Sequence, residues 1–282
     1  MRIGRKPGIA VLAGLGLFAL IAWRIEAAST HVLEAHYAPP PSALHAAPSQ
    51  SSIRDGERLA HLNGCFACHG QNLTGKVTFR GFFGTRLVAP NLTRVLRRQS
   101  DTQIAAAIRY GIKADGTSTI AMPSDRFIGL SDTDVAAMIA YLRSLPERPD
   151  ATAKTQWGFI GRAMLAMKLL PQEAALVDRT AHGPVQTPAT PLALGGYIAR
   201  SQCSVCHDGD LSGDTLEASP DLHFAIKHYS PAAFAHFFRS GEGQIGHGTK
   251  TMTKMIESRF RYLTDAEVRA LYATLNTPVP PR

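Results

Sequence analysis

Cys65-Phe66-Ala67-Cys68-His69 and Cys203-Ser204-Val205-Cys206-His207 between them use all 4 cysteines of the 282-residue chain, and their reading decides the fold. In each stretch two thiols stand three positions apart, one helical turn, with a histidine directly after the second. That order suits a c-type haem attachment site. The thiols form thioethers with the haem vinyl groups, and the histidine is then held beneath the iron as its proximal ligand. Two other readings compete: a structural zinc site and disulfides in an exported protein. Zinc ribbons separate their cysteine pairs by roughly 15 to 20 residues. Here more than a hundred residues intervene, and neither alternative explains a histidine after both pairs. The expected cofactors are two covalently bound haem c groups, through Cys65 and Cys68 and through Cys203 and Cys206, with His69 and His207 as iron ligands.

At 45% hydrophobic and 18% charged residues the chain is globular and long enough for two domains. Its formal charge of +8 includes Arg2, Arg5, Lys6, Arg24 and Glu26 near the N-terminus; without them 26 bases face 21 acids. Haem propionates would bring the remainder close to neutrality, so the basic balance gives little support to nucleic-acid binding.

Arg2, Arg5 and Lys6 precede an apolar run from Gly8 to Trp23 that Arg24 closes. A charged segment followed by a hydrophobic one addresses the protein out of the cytoplasm. Residues 1–28 are read as a signal or membrane anchor. Ala27-Ala28-Ser29 offers a cleavage site, while Trp23 and Arg24 resemble an interfacial girdle that favours the anchor. The alternative is a soluble periplasmic protein after cleavage. Residues 29–50, with Pro39-Pro40-Pro41, read as a semi-extended linker whose His31, His36 and His45 are solvated polar groups.

The first domain is assigned to residues 51–148. A short helix over Gly56–Gly64 leads to the first attachment site and packs against the last helix of the domain. An irregular stretch follows His69 as far as Pro90-Asn91-Leu92. Ser100-Asp101 caps a helix that Gly111 stops, and Ser131-Asp132 caps an amphipathic helix ending at Pro146. Between those two helices Met122 lies in an extended segment before Pro123. It is the candidate sixth ligand of the first iron, with His61 the weaker competitor.

The second half repeats these blocks in order. His69-x-x-x-Leu73-Thr74-Gly75 matches His207-x-x-x-Leu211-Ser212-Gly213, and Pro90-Asn91-Leu92 matches Pro220-Asp221-Leu222. Ser100, Arg109 and Gly111 match Ser230, Arg239 and Gly241. Met122, Arg126, Phe127, Leu130 and Asp132 match Met255, Arg259, Phe260, Leu263 and Asp265. Gaps that differ by only a few residues mark duplication of one domain, so the second domain is assigned to residues 192–282. Of two nearby methionines, Met255 rather than Met252 keeps the register and is the expected ligand of the second iron; His247 is a further alternative. Pro90 and Pro220 are expected to offer a backbone carbonyl to the ring nitrogen of His69 or His207 that does not bind iron. Arg109 and Arg239 are candidate partners for haem propionates. The inter-domain segment 149–191 contains an apolar helix, 157–170, too short to span a bilayer. It is expected to lie between the domains or against a partner or membrane surface, with Arg162 and Lys168 kept wet.

Together these residues resemble the membrane-anchored c-type cytochrome subunits of periplasmic alcohol, aldehyde, gluconate and sorbitol dehydrogenases. The stretches that carry the likeness are Arg58 to Gly70, Ala89 to Thr93, Ile108 to Gly116, Ala121 to Pro146 and Gly196 to His207, with Phe159, Arg162 and Lys168-Leu169-Leu170 between the halves. Those subunits usually carry three haems, whereas two attachment sequences stand here. The resemblance implies a mainly α fold: two tandem class I-like cytochrome c domains, short helices wrapped round a covalently bound haem, after an N-terminal hydrophobic segment. It implies electron transfer rather than catalysis, no catalytic residue, and a place on the periplasmic side of the bacterial inner membrane. The expected partners are a periplasmic dehydrogenase and a respiratory-chain acceptor. A dihaem peroxidase-like enzyme and a cytochrome subunit of a terminal oxidase are the alternatives. Arginines cluster over Phe79–Arg98 without an acid, and acids over Asp208–Asp221 without a base. This asymmetry predicts that the first haem is the more readily reduced and that electrons pass from the second to the first.

Overall fold

The computed structural model describes residues 6–81, 83–149, 154–170, 172–180, 186–215, 219–243 and 249–277. They are mostly helical. Chain order begins with α1 (Lys6–Leu33), α2 (Gln50–Leu62), α3 (Cys65–His69), β1 (Lys76–Arg80), β2 (Arg86–Ala89), α4 (Leu92–Val95), α5 (Asp101–Tyr110), α6 (Ser124–Phe127) and α7 (Asp132–Ser144). After α8 (Phe159–Ala166) and α9 (Glu173–Thr180) come α10 (Pro191–Ile198), α11 (Ser204–His207), α12 (Leu222–Ala225), α13 (Pro231–Ser240), α14 (Thr249–Ser258) and α15 (Asp265–Asn276).

Each half is framed by a pair of crossing helices. A glycine sits where each pair touches, because a side chain there would occupy the neighbouring backbone. A Cβ on Gly56 of α2 would fall 2.0 Å from the Ala137 carbonyl oxygen of α7. One on Gly195 of α10 would fall 2.1 Å from that of Ala270 in α15. Helix starts follow the capping residues of the sequence. Ser100 accepts from the Gln103 N–H, Ser131 from Asp134, and Thr264 from Glu267.

Four expectations change. The stretch after His69 is not irregular throughout: β1 and β2 pair antiparallel, Lys76 opposite Ala89 and Arg80 opposite Arg86, with a bulge between Val77 and Phe79. The linker is docked rather than free, since Leu44 and Ala46 are buried in the core. Tyr37 N–H donates to the Gly116 carbonyl at 2.8 Å and Ala46 N–H to Asp101 at 3.0 Å. His45 lies 3.2 Å from the same aspartate. The N-terminal helix runs on to Leu33, beyond the boundary expected at residue 28.

Finally, the segment holding α8 does not separate the halves. It lies along α1, with Phe159 and Phe18 ring centroids 6.4 Å apart. Arg162, rather than staying wet, pairs with Glu26 at 3.0 Å and donates to Ser29 at 3.1 Å. The halves instead meet directly through α2, α7, α10 and α15, and one apolar core is continuous across them. Arg58 pairs with Glu267 at 2.9 Å, Ser131 N–H donates to the Tyr197 hydroxyl at 3.1 Å, and Tyr197 in turn donates to Asp134. His61, the competing ligand for the first iron, is stacked between Phe66 and Tyr262 at centroid distances of 3.9 and 4.2 Å.

Candidate haem centres

The turn after each histidine is built the same way twice. Gly75 N–H donates to the His69 carbonyl and Gly213 N–H to that of His207, both at 2.9 Å. Leu92 N–H reaches the Leu73 carbonyl, and Leu222 N–H that of Leu211, again both at 2.9 Å. Gly75 and Gly213 have φ of +94° and +90°. Their missing side chains let the turn press against the backbone just before the proline; a Cβ would come within 2.9 Å of the Ala89 carbonyl and 2.6 Å of that of Ser219. The next residue caps the helix that leads away. Asn91 accepts from Thr93 N–H at 3.0 Å and Asp221 from His223 N–H at 2.8 Å.

This scaffold aims one carbonyl at each ring. His69 Nδ1 lies 2.9 Å from the Pro90 carbonyl oxygen and His207 Nδ1 2.8 Å from that of Pro220. A carbonyl only accepts, so Nδ1 carries the hydrogen and the lone pair resides on Nε2. Both rings are buried, and that burial lowers their pKa, opposed in part by the proline carbonyls. Each is thus a neutral imidazole with a fixed tautomer and a single nitrogen left to bind metal. Burial also pushes the Cys65 thiol up to about 11 and the Cys203 thiol up to about 12, so both stay protonated. No disulfide joins the cysteines, and no group of three or more Cys, His, Asp or Glu side chains is placed to share a metal among the described residues. The donor set fits haem c. Cys65 and Cys68, and likewise Cys203 and Cys206, would hold the haem through thioethers, and the adjacent histidine would offer Nε2 to its iron.

Beyond the histidines the halves diverge. Met122 follows Ala121, whose φ is +62°, and its carbonyl accepts from Ser124 N–H at 2.7 Å. Ser124 is fully buried, donates to the Ala107 carbonyl of α5 at 3.2 Å, and through its N–H reaches Glu173 at 3.1 Å. Glu173 opens α9 in the segment between the halves and was not apparent from the sequence. Nothing in its local pattern distinguishes it from any helix-opening glutamate, and only the approach of α9 to α6 gives it a role. Burial, and then Asp125, raise its pKa to about 7. Met255 lies instead within α14, with Met252 one turn earlier; both pack against the core. His247 falls outside the described residues.

Arg109 and Arg239 each bracket the start of the helix that follows the methionine segment. Arg109 is buried, donates to the Leu130 carbonyl at 2.7 Å and pairs with Asp132 at 2.6 Å. Arg239 repeats the bracket on the Leu263 carbonyl at 2.9 Å and Asp265 at 2.6 Å.

Residues 53–146 match the family model for cytochrome c, so this part of the chain is a cytochrome c domain, which implies covalently bound haem c. Over a longer span the chain is homologous to the cytochrome subunits of dehydrogenases. It is 26% identical over 281 residues to the fructose dehydrogenase cytochrome subunit of Gluconobacter japonicus, covering 89% of this chain and 56% of that one. It is 26% identical over 181 residues to the alcohol dehydrogenase (quinone) cytochrome c subunit of Gluconacetobacter polyoxogenes, covering 59% and 38%. The gluconate 2-dehydrogenase cytochrome c subunit of Pantoea cypripedii is 23% identical over 260 residues, covering 78% and 58%. The chain thus spans about half the length, or less, of these relatives.

Proposed function

We propose that the chain is a dihaem electron carrier, with residues 192–282 forming a second cytochrome c domain. Cys65, Cys68, His69 and Met122 would hold one haem, and Cys203, Cys206, His207 and Met255 the other. When bound, each haem takes up and releases one electron at its iron. The protein keeps that iron in a constant ligand set. Pro90 and Pro220 lock the histidine rings, and a soft thioether on the far side favours the ferrous state. With a histidine and a methionine both holding each iron, no position would remain for a substrate. The observation that carries this reading is the duplicated hydrogen-bond frame that leaves Nε2 as the free nitrogen of both His69 and His207.

In this reading electrons arrive from a periplasmic dehydrogenase, as the names of the relatives suggest, and leave to the respiratory chain. The helix Gly8–Leu33, with mean hydropathy 2.0, is long and apolar enough to span a bilayer. Its C-terminal turns are tied to α8 through Glu26 and Ser29, which supports a retained anchor on the periplasmic side of the inner membrane over a cleaved signal. The arginine-rich surroundings of the first site and the acidic surroundings of the second support electron flow from the second to the first. A redox titration with the second site at the higher potential would reverse that direction.

Mass measurement of the purified holoprotein tests the main claim. Two haems are expected, together with a methionine-to-iron band in the near infrared accounting for both and no binding of carbon monoxide. One haem, or a site that takes carbon monoxide readily, overturns the reading and favours a peroxidase-like centre.

A further inference from the structure

The two attachment turns adjoin each other. Asn63, at the end of α2 and two residues before Cys65, accepts from Gln202 Nε2 at 3.1 Å; Gln202 directly precedes Cys203. Arg259 of the second half lies in this junction. Its Nε donates to the Leu62 carbonyl at 2.8 Å and its Nη2 to Gln202 Oε1 at 3.0 Å. A Cβ on Gly64, the residue before Cys65, would lie 3.5 Å from the same Nε. The charge is near enough to act on Cys65, Cys203 and Cys206. One guanidinium therefore touches the approach to both attachment sites, although they are more than a hundred residues apart in sequence.

Both acceptors of Arg259 are neutral, and no carboxylate pairs with it among the described residues. Arg126, its counterpart four residues after Met122, adds positive potential rather than relieving it. Unlike Arg259, Arg126 has the carboxylates of Asp125 and Glu173 in its surroundings. A partly buried cation held only by neutral acceptors is costly unless something beside it gains from the charge. Reduction of a haem adds one electron and moves no atom or proton, so each iron passes from ferric to ferrous with one positive charge fewer. A fixed cation favours that state, and does so more strongly in a medium of low dielectric.

We propose that Arg259 is a positioning residue shared by both haem sites, a single partly buried positive charge at the junction of the attachment turns that favours the reduced state of each. This rests on the dihaem reading.

The test uses the full-length holoprotein. Mass measurement first counts the haems, so that a single haem defeats the dihaem reading separately from any effect of Arg259. With both attached, potentiometric titrations compare the wild type with Arg259→Gln, Arg259→Lys and Gln202→Glu. Arg259→Gln should lower the equilibrium constant for reduction about tenfold at each site, about 59 mV for a one-electron centre. Arg259→Lys should restore most of that loss. Gln202→Glu keeps the arginine and sets a carboxylate against it, so it should lower both potentials while preserving the cation. That variant decides the matter if Arg259→Gln fails to assemble. A shift at one site alone, no shift at either, or an equal loss in the Lys and Gln variants overturns the proposal.

Discussion

The two halves share their histidine side and differ on their methionine side. Around His69 and His207 the match extends to individual hydrogen bonds: the glycine that reaches back to the histidine carbonyl, the proline carbonyl on Nδ1, and the Asn or Asp that caps the next helix. All of these contacts lie within about 25 residues of the histidine, so a duplicated sequence rebuilds them without help from elsewhere. The methionine side draws on distant chain. Met122 lies on a loop held from behind by Glu173, whereas Met255 lies in a helix with Met252 one turn away. Contacts encoded locally repeat faithfully, while those supplied by another segment change with that segment.

The largest effect should come from removing attachment. Cys65→Ala with Cys68→Ala should cost one haem and leave the second attached, as measured by mass and by the reduced α-band. Loss of both would mean that the halves do not mature separately. Next come the axial methionines. Met122→Ala and Met255→Ala should each remove about half of the near-infrared band, lower one potential and open one site to carbon monoxide, whereas Met252→Ala should leave all three unchanged. If Met252→Ala has the effect expected of Met255→Ala, the ligand of the second half moves one turn along α14.

Smaller effects distinguish the supports. Glu173 has a folded pKa above its ordinary value, so its protonated form is the one the fold favours. Its contribution is present below about pH 4.5 and is lost as pH rises through about 7. Glu173→Gln should remove that loss, leaving the variant more stable than wild type above pH 7 by about 2 kcal/mol in thermal melts at pH 5 and 7.5. A variant whose stability falls between those values as the wild type's does would show that the carboxyl is not the group responsible. Least of all, Arg109→Met should cost about 2 kcal/mol in denaturant unfolding, because the guanidinium is buried although Asp132 is largely exposed and screened. Arg239→Met, at the more exposed bracket, should cost clearly less.

The proline carbonyls, the helix caps and the repeated turns were legible because each depends on residues close in sequence. The β1–β2 pairing was not, since Lys76–Arg80 alternates polar and apolar residues over only one short strand and its partner Arg86–Ala89 does not alternate at all. Nor was the docking of residues 34–47. Their composition is that of a tether, and Leu44 and Ala46 become core only because Asp101 and Gly116 supply distant acceptors. Nor were the contacts of Arg109 and Arg239, to which the segment after each methionine brings a carbonyl and a carboxylate.

Sequence alone thus determined the local frame of Cys65-Phe66-Ala67-Cys68-His69 and of Cys203-Ser204-Val205-Cys206-His207, because cysteine spacing, histidine order and turn-forming glycines act over a few residues. Tertiary structure alone decided that the two attachment turns meet, that Arg259 lies between them, and that Glu173 stands behind the Met122 loop. Each of those relations joins residues separated by tens to hundreds of positions, and they become neighbours only when α2, α7, α10 and α15 bury one continuous core.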